Sequence, residues 1–377
     1  MTRRRRWILL AVLPLVLVCA AACVLWLIYG ESVRVLEGLV TASGETLPPG
    51  VTRQPLVIEA GGTVVFADIY EPAVARAVLL FVPGLTSAGR DDRRVVGVSG
   101  VLAAAGFRVV TPDLPGAIAL AAGREDAAVL EVLLDHLVAE RGANGLPLGM
   151  IAVSYGLGPA LTAAAGPARA DGIDMVLGLG GYFDGQAIVT YVTTGAFTDP
   201  RDGITRLGAP DPRARWLLLL STLEHILSVQ DRSNLRQLAQ LGMYGDANGG
   251  TPGLVATSQA MAQAGPAARA LLALIANANP DRVPSLLDAL PPGARDDLVA
   301  LSPSRLDLRN LEGRIVLVHG QDDPVIPYSE SLRLADAVPG TRVFLIPGFS
   351  HVEPEQTGFS GQWVMIRALR VLLDLRD

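Results

Sequence analysis

From Pro55 onward, short apolar stretches bounded by Gly or Pro recur at the length of a β-strand. They read LVIEA at 56–60, TVVFADIY at 63–70, AVLLFV at 77–82 and FRVVTPD at 107–113. Between the last two, Asp91 and Asp92 suit a helix N-terminus and lead into VVGVSGVLAAAG at 95–106. EDAAVLEVLLDHLVAE at 125–140 has its apolar residues at helical spacing, PLGMIAV at 147–153 reads as a strand, and LGPALTAAA at 157–165 returns to helix. Strands alternating with helices predict an α/β fold: a mostly parallel sheet, doubly wound, with helices on both faces.

The alternation stops after IDMVLGLGG at 173–181. Between residues 182 and 309 only helical patterns occur, separated by Gly and Pro: 214–230, 234–242, 267–278 and 283–290. This stretch is expected to form a helical cap inserted into the sheet domain. Strand and helix resume with GRIVLVHG at 313–320, SESLRLADAV at 329–338, TRVFLIPG at 341–348 and a closing helix from about 361 to 375. The sheet domain thus divides into 55–181 and 310–377 around the cap, and no internal repeat is apparent.

The N-terminus follows another pattern. No charge interrupts the run from Trp7 to Tyr29, which as a helix at about 1.5 Å per residue reaches about 34 Å, enough for a hydrocarbon core of about 30 Å. Arg3 to Arg6 precede it, and basic flanks stay on the cytoplasmic side. Residues 1–30 therefore predict a single-pass anchor with everything from Glu31 on the periplasmic or extracellular side. A cleaved signal has a shorter apolar region, about 7 to 15 residues, so an uncleaved anchor is the better reading; Ala20 to Ala22 and Cys23 keep a cleavage or lipoprotein site open. Gly44, Pro48, Pro49 and Gly50 read as turns in a stalk over 31–54.

Composition adds three constraints. The mean hydropathy of +0.38 is high, and the apolar N-terminus accounts for part of it. Net charge is −6 even with the four leading arginines, so the remainder is more acidic still, which speaks against nucleic acid as a partner. Both cysteines, Cys19 and Cys23, fall in the apolar run, which leaves the domain no thiol for a disulfide, a Cys-ligated metal or nucleophilic chemistry.

MIAVSYGLG at 150–158 sets Ser154 between a predicted strand and a predicted helix, with small residues, Ala152 and Gly156, two positions either side. A tight strand-to-helix turn around a nucleophile needs such residues, although the usual pattern is G-x-S-x-G. A lone serine here serves equally well as a helix cap. The hydroxyl becomes a good nucleophile only when an imidazole removes its proton and a carboxylate orients that imidazole. HGQDDPVIP at 319–327 and IPGFSHVEP at 346–354 supply both, each just after a predicted strand end. Ser154, Asp323 and His351 then lie in the order Ser…Asp…His on loops at one sheet edge.

With AVSYG, G-x-x-D-x-x-I-P from Gly320 to Pro327, G-F-S-H from Gly348 to His351, and FRVVTPDLPG at 107–116, the chain resembles the α/β-hydrolase family from about residue 55 to its end, the cap excepted. The resemblance implies an α/β-hydrolase fold and a Ser154, Asp323, His351 triad. The G-x-x-D spacing favours Asp323 as the acid, with Asp322 as runner-up. It also implies an oxyanion hole made by the backbone amides of Tyr155 and Leu85, with Thr86 as the alternative second donor, in a loop where Pro83-Gly84 replaces the family's usual H-G.

Among the other histidines, His136 and His225 lie in helical patterns and read as surface or packing residues, and His319 as a structural hydrogen-bonding group. Ser154 excludes the Asp nucleophile of some relatives. His351, Glu353 and Glu355 read as loop surface rather than a metal site, and Gly178, Gly180 and Gly181 lack the context of a dinucleotide fingerprint. No cofactor or metal is expected. The expected substrate is a small-molecule or lipid carboxylic ester. An acyltransferase or an amidase or peptidase would use the same residues, and a non-catalytic binding protein on this fold is the alternative from another class. The apolar runs at 216–220 and 271–275 fit the cap's own core better than an acyl pocket. Oligomeric state is not legible.

Overall fold

The computed structural model describes residues 3–121, 123–244, 260–300, 302–351 and 357–377, and the side chains of 1–19, 21–22 and 299–300 lie outside the description. Ten strands are described: β1 (Thr52–Ala60), β2 (Thr63–Glu71), β3 (Ala77–Val82), β4 (Phe107–Pro112), β5 (Leu148–Val153), β6 (Met175–Leu179), β7 (Ala196–Thr198), β8 (Thr205–Leu207), β9 (Ile315–Gly320) and β10 (Arg342–Ile346). Eight form one sheet in the order β1-β2-β4-β3-β5-β6-β9-β10. β1 and β2 pair antiparallel, as do β2 and β4, and the other pairings are parallel. β3 and β9 are buried along their whole length, which is why they read as unbroken apolar runs rather than alternating ones.

Helices cover both faces. On one, Leu130, Leu133 and Leu134 of the helix Glu125–Asn144 and Leu157 and Leu161 of the helix Leu157–Ala164 pack against Leu80, Met150 and Leu317. On the other, the helix Arg93–Ala104 and the C-terminal helix Phe359–Leu373 cover Leu79, Phe81 and Val316. Asp92 caps Arg93–Ala104, its side chain accepting the Arg94 amide.

The N-terminal helix differs from its expected course. It runs from Arg3 to Thr41, through much of the span expected as a stalk, and its end packs on the domain. Val35 is buried with Leu36 and Leu39 beside it, and at Gly38 an added Cβ would already touch Val101 at 3.0 Å. Arg376 holds Glu31 with two 2.8 Å bonds, and Tyr29 meets Trp363 edge-on with centroids 4.9 Å apart. The apolar spacing at 35, 36 and 39 gives this end a face that turn residues further on, Gly44 and Pro48, do not cancel. The anchor expected over Trp7–Tyr29 falls mostly on side chains outside the description; among the described residues no helix is long and apolar enough to cross a membrane.

The inserted region carries helices Gly185–Thr194, Ala214–Ser221, Val229–Tyr244, Pro266–Ile275, Val283–Asp288 and Pro292–Ala300. Trp216, Leu219, Leu271, Leu272 and Ile275 are buried together in the cap's own core. One feature departs from the all-helical expectation: β7 and β8 form a small antiparallel hairpin. At three residues each, these strands are too short to leave a readable alternation.

Candidate active site

Ser154 follows β5 at once and begins a short 3-10 turn that feeds the helix Leu157–Ala164. Its φ is +53°, a left-handed conformation that costs a non-glycine residue of order 1–3 kcal/mol and persists only where its surroundings enforce it. The enforcing contacts are close. A Cβ on Gly156 would stand 2.5 Å from the Pro83 carbonyl oxygen, and one on Gly84 would stand 3.3 Å from the Ser154 Cβ. Ala152 is fully buried in register with Val82 on one side and Gly178 on the other, so at this level of the sheet the glycine stands on the neighbouring strand rather than two residues before Ser154.

Three loops at the carboxyl ends of β5, β9 and β10 bring the predicted groups together. His351 Nε2 lies 2.8 Å from Ser154 Oγ, and His351 Nδ1 lies 2.7 Å from Asp323 Oδ2. Asp323 Oδ1 accepts the amides of Val325 at 2.8 Å and Ile326 at 3.0 Å. Burial pushes the Asp323 carboxyl upward, but hydrogen bonds and charge from His319 and His351 outweigh it and hold it well below the usual carboxylate range. Ser154 and His351 are half-buried, while Asp323 is buried.

Gly180, at the end of β6 with φ +58°, leaves the room this pair needs: a Cβ there would stand 3.4 Å from both Asp323 Oδ2 and His351 Nδ1. Asp322, the alternative acid, points elsewhere and accepts the Gly348 amide at 3.1 Å, tying down the turn before His351.

The other expected residues fall as follows. Tyr155 is buried directly after Ser154, and Leu85 is half-buried directly after Gly84, the residue that abuts Ser154. Thr86 donates its hydroxyl to Asp92 at 2.6 Å. His319 is fully buried; its Nε2 lies 2.9 Å from the Ile326 carbonyl, to which it donates, and its Nδ1 lies 2.7 Å from the Ser331 hydroxyl oxygen. His136 is on a helix surface near Glu140. His225 Nε2 lies 2.9 Å from Asp297 Oδ2, with Glu224 at 3.6 Å, a group with metal-like spacing in which Arg124 already occupies Asp297 at 3.0 Å. Glu353 and Glu355 lie outside the described residues.

Two features escaped sequence reading. Asp126 sits in a helix pattern where an acid in the first turn is unremarked, yet it is fully buried and bonded to Tyr155. The cap grips the acid loop: the Tyr191 hydroxyl donates to the Asp323 carbonyl at 3.1 Å, and the Asp211 amide to the Pro324 carbonyl at 2.7 Å.

No family model and no curated protein matches this chain. Among solved structures it is similar to an arylesterase, with 14% identity over 91% of each chain and a TM-score of 0.47. It is also similar to a soluble variant of monoglyceride lipase from Saccharomyces cerevisiae, with 14% identity over 89% of this chain and 99% of that one, TM-score 0.46. A third is dienelactone hydrolase from Anabaena variabilis, at 15% identity over 85% and 96%, TM-score 0.43. Likenesses at this level carry no functional weight. The fold is α/β-hydrolase-like on its own terms: a mostly parallel eight-stranded sheet, a strained serine turn after β5, and an acid and a histidine on loops after β9 and β10.

Proposed function

We propose that the protein is a serine hydrolase that cleaves a carboxylic ester through an acyl-enzyme. The observation that carries this reading is the continuous path from Ser154 Oγ through His351 to Asp323, at 2.8 and 2.7 Å. Ser154 Oγ attacks the ester carbonyl while His351 Nε2 takes its proton. His351 returns that proton to the departing alkoxide, leaving an acyl group on Ser154, and then activates the water that releases the acid. Asp323 keeps the Nδ1 proton of His351 in place and stabilises the imidazolium. The amides of Tyr155 and Leu85 donate hydrogen bonds to the carbonyl oxygen as negative charge develops on it.

The substrate class is a small-molecule or lipid ester. The domain is held at a membrane by its N-terminal helix and works on the periplasmic or extracellular side. Arg3 to Arg6 followed by the uncharged run Trp7–Tyr29 support that placement.

A fluorophosphonate probe is expected to label the purified protein and to fail on Ser154→Ala, with ester turnover falling by about 10⁶-fold. A folded wild-type protein that takes no label would overturn the reading.

A further inference from the structure

A second buried carboxylate stands behind the serine turn, and the triad makes no use of it. Asp126 is fully buried. Its Oδ1 accepts the Gly116 amide at 2.7 Å, and its Oδ2 accepts the Ala117 amide at 3.0 Å and the Tyr155 hydroxyl at 2.9 Å. The same hydroxyl accepts the Gly123 amide at 3.0 Å. The Tyr155 ring is thereby pinned at its far end while its backbone follows the strained Ser154. The loop that supplies these partners is constrained too. Leu120 has φ +53°, a value it shares with Ser154 and with no other non-glycine residue among those described. At Gly116 a Cβ would stand 2.7 Å from the Ala121 carbonyl oxygen and 2.9 Å from Asp126 Oδ2.

We propose that Asp126 is a positioning residue for the oxyanion site: through the Tyr155 phenol it fixes the Ser154–Tyr155 peptide plane, whose N–H donates to the developing oxyanion. The inference rests on the reading of Ser154 as nucleophile and the Tyr155 amide as donor. A donor stabilises an oxyanion only when it already points at the place the charge will occupy. Ser154 is in a conformation that its backbone would leave if released, so a rigid hold on the next residue preserves the aim of that amide. The Tyr155 side chain provides a lever for this hold because both its ends are fixed.

The hold depends on protonation. Burial pushes the Asp126 carboxyl up to about 6, and the bonds from Gly116, Tyr155 and Ala117 offset only part of that rise. The titratable groups facing it are Glu125 on its own helix, Tyr155 on the turn after β5, and Tyr182 after β6; the short helix Pro115–Ile118 contributes amides and no charge. The ionised carboxylate accepts all three donors. Protonation removes the negative charge that strengthens these three bonds, and the grip on the phenol loosens below about pH 6.

The test compares wild type, Tyr155→Phe, Asp126→Asn and the double variant on a p-nitrophenyl ester from pH 5 to 8, with fluorophosphonate labelling of each. Removing an oxyanion donor outright costs about 10²–10³-fold, and misaiming one is expected to cost less, about tenfold in kcat with KM within about twofold. The double variant should lose no more than either single one, because both cut the same link. In wild type the acid limb of log kcat includes a fall as Asp126 is protonated, and in each variant that fall is absent. Additive losses, a change confined to KM, or an unchanged acid limb overturns the proposal. Tyr155→Phe keeps the ring and carries the kcat and acid-limb tests alone if Asp126→Asn does not fold. An unlabelled, inactive wild type removes the nucleophile reading; a labelled and active wild type with unaffected variants removes only the role of Asp126.

Discussion

Two buried carboxylates bracket the serine turn, and burial pushes both upward. Asp323 ends far below the ordinary carboxylate range, and Asp126 ends near 6. The number of hydrogen bonds does not separate them, since each accepts at least three. What differs is the kind of donor. Asp323 faces two imidazoles, His351 and His319, which can carry positive charge; Asp126 faces two peptide amides and a phenol, which cannot. In the proposed reaction an acid held below the usual range suits a partner that must become an imidazolium. A carboxylate that titrates suits a structural hold, and it makes that hold sensitive to pH.

The sharpest way to break this contrast is to remove each charge in turn while keeping the shape. Asp323→Asn is expected to lower kcat by about 10⁴-fold, because the amide would favour the wrong tautomer of His351. Asp126→Asn is expected to cost only about tenfold, since it touches no reacting atom. Steady-state kinetics on one ester settle the comparison, and equal losses would mean that the two carboxylates are not separable into one that stabilises charge and one that sets geometry.

A smaller effect is expected from the donor side. His319 bonds to Ser331 and Ile326 and approaches Asp323 Oδ2 to 3.4 Å, all of them buried. His319→Gln should destabilise the protein by about 1–3 kcal/mol in urea unfolding, because a buried partner is left unsatisfied. It should also bring Asp323 closer to the behaviour of Asp126. A variant as stable as wild type would show that losing the His319 imidazole leaves no buried partner unsatisfied.

The same contrast explains what the sequence made legible. Asp323 and His351 stand directly after strands that show as apolar runs, so topology alone assigns them an edge. The helical cap was visible as a break in the alternation. Asp126 was not, because EDAAVLEVLLDHLVAE presents it as a first-turn helix acid, a position where exposed acids are common. Its partner Tyr155 occupied an unspecified position of the serine motif, where only the backbone amide was expected to matter. Gly180 reads in the sequence only as one of three nearby glycines, although it leaves space for the Asp323–His351 pair. The end of the N-terminal helix was read as a stalk because turn residues further along outweighed a short apolar face at Val35, Leu36 and Leu39. Contacts between distant segments decided all of these, and no local pattern encodes them.

The smallest expected effect distinguishes the two carboxylates in stability rather than rate. A carboxyl whose folded value is raised binds protons more tightly in the native than in the unfolded protein, so its contribution to stability falls as pH rises from about 4 to about 6. A depressed carboxyl such as Asp323 behaves oppositely, and its contribution is lost as pH falls below the ordinary carboxylate value. Wild type should therefore lose Tm relative to Asp126→Asn by about 2–4 °C between pH 4.5 and 7, as followed by circular dichroism. Activity is expected to rise over the same window, so the ionisation proposed to tighten the oxyanion site would weaken the fold around it. A Tm difference that stays constant across this range would mean that Asp126 is already ionised at pH 4.5 and held as Asp323 is, and the acid limb assigned to it would then have to come from another group.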